Sequence, residues 1–102
     1  MFKLDPKPTF IVPVEIHVPG EGKGRINAEF LFLDRDTRAE YVAGLKDKSN
    51  LDALFEIMVG WSEVDSPFTR DTLKKLLDTY STSATALFDA FFNELSGAPV
   101  KN

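Results

Sequence analysis

Cysteine is absent from this chain of 102 residues, and histidine occurs once, as His17. Disulfides, thiolate nucleophiles, Cys-bound zinc and iron–sulfur clusters are therefore excluded, and one histidine cannot make a histidine-rich metal site. No apolar run approaches the roughly 18 residues that span a bilayer. The opening Met1-Phe2-Lys3-Leu4-Asp5-Pro6 lacks the apolar stretch of a signal peptide, so the expected location is the cytoplasm. Positive charge is scarce: 12 Lys+Arg stand against 16 Asp+Glu, a net charge of -4. That balance argues against nucleic acid and against an anionic membrane surface, both of which need a basic face.

What is present is apolar. Hydrophobic residues make up 43% of the chain and nine residues are Phe, too much for a disordered protein. A chain this long buries roughly two thirds of its unfolded surface around one core. The expectation is a single domain over residues 1–102, with flexible ends at 1–8 and 97–102.

The periodicity changes near Asp34. Before it, the period is two. Phe10, Val12, Val14, Ile16 and Val18 share one face of a first strand, with Ile11, Pro13, Glu15 and His17 opposite. Pro13 makes that strand an edge or a bulge, because proline donates no ladder hydrogen bond. Pro19-Gly20-Glu21-Gly22-Lys23-Gly24 forms a turn longer than two residues. A second strand follows over about Arg25–Leu33, with Ile26, Ala28, Phe30 and Phe32 on one side. Residues 9–33 thus read as a β-hairpin.

From 36 to 96 the period is close to 3.6, and four helices are expected. The first, Asp36 to about Lys46, has a thin stripe of Ala39, Val42, Ala43 and Leu45. The second starts at a Ser49/Asn50 cap and carries Leu51, Leu54, Phe55, Met58 and Trp61 at helical spacing, with Asp52 in its first turn. The third has Thr69 as N-cap, with Phe68 and Leu73 spaced as a hydrophobic staple. Its face is Leu73, Leu76, Leu77 and Tyr80. After Ser81-Thr82-Ser83 a fourth helix runs to about Leu95 with a broad stripe that includes Leu87, Phe88, Phe91 and Phe92. Ser96-Gly97 ends it and Pro99 prevents its continuation. The fold class is α+β: an N-terminal β-hairpin of two main strands followed by about four α-helices.

No catalytic set emerges. The glycine cluster lacks the spacing and the Ser/Thr of a Walker loop and is followed by a strand rather than a helix. Three acidic pairs, Asp34/Asp36, Asp47/Asp52 and Glu63/Asp65, are explained by caps and solvated turns. The Ser/Thr cluster at 81–85 has no histidine near it to activate a nucleophile. No cofactor or metal is expected, and the chain is expected not to be an enzyme. The unusual feature is the fourth helix, whose apolar arc holds adjacent Phe91 and Phe92. A domain this small is left with a choice there between core and interface. The candidate protein-binding residues are Trp61, Tyr80, Phe91, Phe92 and Leu95.

The ordered residues also resemble a known family. Pro8-Thr9-Phe10 opens the first strand and Pro19-Gly20 the turn; Glu29-Phe30 and Gly60-Trp61 follow. Phe68-Thr69 leads into Leu73, Leu76, Leu77 and Tyr80. The Ala84–Leu95 helix and a short Gly97…Lys101-Asn102 tail close the chain. In this order the chain resembles the tail assembly chaperones of long-tailed bacteriophages and prophages.

The resemblance implies a non-enzymatic role in the host cytoplasm. By that resemblance the chain is expected to coat the long tape measure protein, keep it soluble, help recruit tail tube protein and leave before the virion is complete. It implies self-association as a homo-oligomer and a frameshift-extended form of the same chain. It transfers no functional residue. Two other classes fit the same features: a structural minor tail protein or connector retained in the virion, and a small prophage regulatory or toxin-neutralising protein.

Overall fold

The computed structural model describes residues 1–97. Within them, strand β1 (Thr9–Val18) pairs antiparallel with β2 (Gly22–Leu31) in unbroken register from Thr9 opposite Leu31 to Val18 opposite Gly22. The connection is Pro19-Gly20-Glu21. The Glu21 N–H donates to the Val18 carbonyl at 3.0 Å and Gly20 takes φ +81°. Proline second and a positive-φ glycine third are the marks of a type II turn.

Phe32 N–H donates to the Pro8 carbonyl at 2.8 Å, which extends the register by one pair. Ladder bonds therefore fall on the even residues of β1, and Pro13 keeps its nitrogen on the open edge. This is the position that proline tolerates in a sheet. Val12, Val14, Ile16, Ile26, Ala28 and Phe30 are buried on one face, as the alternation predicts.

Phe32 departs from the expectation. The strand ends at Leu31, the alternation lapses, and Phe32 is 43% exposed while Leu33 turns in against the core.

Helix α1 (Arg35–Gly44) begins where Asp34 accepts the Thr37 N–H at 2.9 Å, and a 3-10 turn over Leu45–Asp47 follows it. Helix α2 (Asn50–Ile57) is capped by Ser49, which accepts the Asp52 N–H at 3.1 Å.

The second expected helix is shorter than its apolar spacing suggested. It stops at Ile57, and Met58–Ser62 forms a third strand, β3, antiparallel to β2. Val59 is β-branched and Gly60 is a poor helix former, while β2 has an open edge to fill. A bulge between Glu29 and Phe30 places Met58 and Trp61, read as helical neighbours, opposite Phe30 and Ala28 on the inner face.

Helix α3 (Arg70–Thr79) starts at a capping box. Thr69 Oγ1 accepts the Thr72 N–H at 3.1 Å, and Thr72 Oγ1 accepts the Thr69 N–H at 2.8 Å. Helix α4 (Ser83–Ser96) ends at Gly97, φ +71°, the left-handed position that favours glycine. Pro99 and the tail Ala98–Asn102 lie outside the described residues.

Among the described residues, four helices and a three-stranded sheet of order β1-β2-β3 thus make an α+β fold. Helix α4 packs against β1. Phe91 joins the layers, with its ring 5.2 Å from Phe30, 6.0 Å from Phe10 and 6.0 Å from Tyr41.

Candidate binding surface

Of the stripe expected for the first helix, Leu45 packs against the core, but Ala39, Val42 and Ala43 do not. Tyr41 is the one buried residue of that helix, and its hydroxyl donates to the Ala53 carbonyl of α2 at 2.6 Å. Burial holds the phenol above its ordinary pKa, with the Glu56 carboxylate adding to the effect. With Tyr41 turned inward, Ala39, Val42 and Ala43 face out; Val42 is 48% exposed. These three residues, with Phe32, Leu33 and Leu95, line an open groove of about 830 Å³ between α1, the β2–α1 connection and the end of α4.

Polar groups stand at its rim. Arg35 and Arg38 are two of them, and Asp34 is the third. The Asp34 carboxylate is committed to its cap, and the Thr37 N–H holds it below its usual pKa. Arg38 also lies over the Phe92 ring, 5.8 Å from its centroid.

The five candidate contact residues do not converge. Phe92 and Leu95 are half-buried on the α4 turns nearest α1, and Leu95 enters the groove. Phe91 is 0% exposed at the centre of the core, so it offers no surface in this fold. Trp61 sits elsewhere, edge-on to Phe68 at 5.2 Å, with its indole N–H donating to the Ser66 carbonyl at 2.8 Å. Phe68 stacks in turn on Phe55, over which Arg70 lies at 5.8 Å. Tyr80 caps the end of α3, beside the start of α4. Helix α4 has 14 residues, so Tyr80 and Leu95 are separated by about 20 Å of helix.

Four exposed apolar lining residues, Phe32, Ala39, Val42 and Ala43, were absent from the candidate set. The i, i+3, i+4 spacing of Ala39, Val42 and Ala43 was legible, but nothing local showed which way the helix turns.

Among the described residues, a three-stranded sheet backed by four helices, with an open apolar groove at one corner, makes a small α+β domain. A family model described as phage tail assembly chaperone matches residues 1–102, the whole chain, and the chain belongs to that family. The family is a non-catalytic kind of protein, and membership implies partners among phage tail proteins. Among curated proteins and among solved structures, nothing matches the chain. No helix of the described residues is long and apolar enough to cross a membrane.

Proposed function

We propose that this chaperone binds the tape measure protein during tail assembly, keeps it soluble and helps recruit tail tube subunits. It does so without catalysis, in the cytoplasm of the bacterial host. The apolar stripe of a client helix is covered by the groove face, and burial of apolar area drives the association. Phe92 and Leu95 from α4 act with Val42 and Phe32; Trp61 and Tyr80 offer separate, secondary contacts. The acidic exterior, net -4, keeps the loaded complex dispersed. Copies of the chain self-associate, and a frameshift-extended form joins them.

One observation supports this reading above the others: Val42 and Phe32, 48% and 43% exposed, line the same groove as Leu95. Contiguous exposed apolar surface on a small protein marks an interaction site. Co-expression with a tape measure protein tests it. A soluble complex that co-purifies supports the proposal, and an insoluble client with no complex contradicts it.

A further inference from the structure

The segment that precedes β1 carries its own unburied apolar side chains. Phe2 is 90% exposed and Leu4 91% exposed. They are two residues apart, so an extended backbone places both on one side. The segment leaves the fold at the mouth of the groove, because the Pro8 carbonyl accepts the N–H of Phe32, a lining residue. Among the described residues, an open apolar groove and an exposed apolar segment thus lie side by side.

We infer that the segment 1–7 of a second copy seats Phe2 and Leu4 in this groove. Asp5 follows Leu4 and offers a carboxylate to the rim that carries Arg35 and Arg38, while Lys3 and Lys7 flank it with positive charge, so apolar contact and not net charge carries the fit. Neither arginine appears in the ion pairs of the described residues. Two prolines favour a second copy over the segment's own groove. Pro6 and Pro8 fix their own φ and bias Asp5 and Lys7 away from helical backbone, which stiffens the stretch that would have to double back. Exchange of such a segment is a low-cost route to association. Leu95 belongs to the groove, so the seated segment and a client exclude one another there. The inference rests on the self-association proposed above and supplies its contact.

The absence of cysteine permits a direct test on the full chain without a client. Lys3→Cys and Ala43→Cys variants are mixed and treated with a short bismaleimide, and a double variant is treated alone. Sedimentation equilibrium is measured on the native chain and on Phe2→Ser/Leu4→Ser. The inference expects a mixed cross-linked dimer and covalent dimers or longer chains from the double variant. It expects the serine variant to dissociate about tenfold or more readily, with the melting curve unchanged in samples dilute enough to be monomeric, because both residues are exposed in the single copy. Intramolecular cross-linking alone overturns the second copy as occupant. A native dimer that the serine substitutions do not weaken overturns the segment and leaves self-association standing. A native monomer at all concentrations overturns both.

Discussion

The Tyr41 hydroxyl and the Ala53 carbonyl, 2.6 Å apart, set the rotation of α1 on α2. Successive helical residues are separated by about 100°. Anchoring Tyr41 inward therefore turns Val42 and Ala39 away from the core, and the groove exists because of that choice. Tyr41→Phe keeps the ring and removes the donor. The expected loss is about 1 kcal/mol of stability, read from urea denaturation midpoints. Tyr41→Ala also removes the ring's contact with Phe91, and a loss of about 3 kcal/mol or more is expected.

Adjacent phenylalanines on α4 have different roles. Phe91→Ala opens a cavity among Phe10, Phe30 and Tyr41, and should cost about 3–5 kcal/mol. Phe92 is half-buried at the edge of the core, and its truncation should cost clearly less. Equal losses in parallel unfolding curves would contradict the placement of these two rings.

Thr69 makes both halves of a capping box, with Thr72 in the place that Glu or Gln commonly fills. Thr69→Ala should lower stability by about 1 kcal/mol, and Thr69→Asp should restore most of it, because aspartate caps as well as threonine. Circular dichroism during thermal melting reads both effects.

Two carboxylates make stability depend on acid. The Arg70 guanidinium beside Asp52 holds its pKa below the ordinary 3.8, and the Thr37 N–H does the same for Asp34. A group depressed in the folded state stabilises it fully above the unfolded pKa and loses that contribution as pH falls through the folded value. Stability should therefore decline as pH drops below about 4, and Asp52→Asn should flatten that slope. Lys74 has the opposite sign. Asp78 raises its pKa above 10.5, so its contribution holds at neutral pH and fades as pH rises beyond that value. Both effects should be small, because these groups lie at the surface, where solvent screens them. Urea midpoints across the pH range check the signs.

The hairpin was legible because alternation survives in Phe10–Val18 and Ile26–Phe30, and because Pro13 announces an edge. The starts of α2 and α3 were legible from Ser49 and Thr69, whose short side chains do the capping. β3 was not. Met58 and Trp61 suit a helix by spacing as well as they suit a bulged strand, and only the open edge of β2 decides between them. The direction of α1 was hidden for a similar reason. Tyr41 and the Ala39/Val42/Ala43 stripe compete for the core, and the carbonyl that selects Tyr41 belongs to another helix. Phe91, Phe92 and Leu95 were drawn from α4 because its stripe is broad, yet that breadth is mostly used on β1. The surplus surface lies on the thinner helix.

Whether the groove face holds the client, as proposed, is read by co-purification of the tape measure protein with the native chain and with Val42→Asp, an exposed substitution that leaves the core intact. The native chain is expected to keep the client soluble and co-elute with it, while Val42→Asp folds normally and loses at least about tenfold in affinity. A Val42→Asp chain that retains the client as tightly as the native one would contradict it.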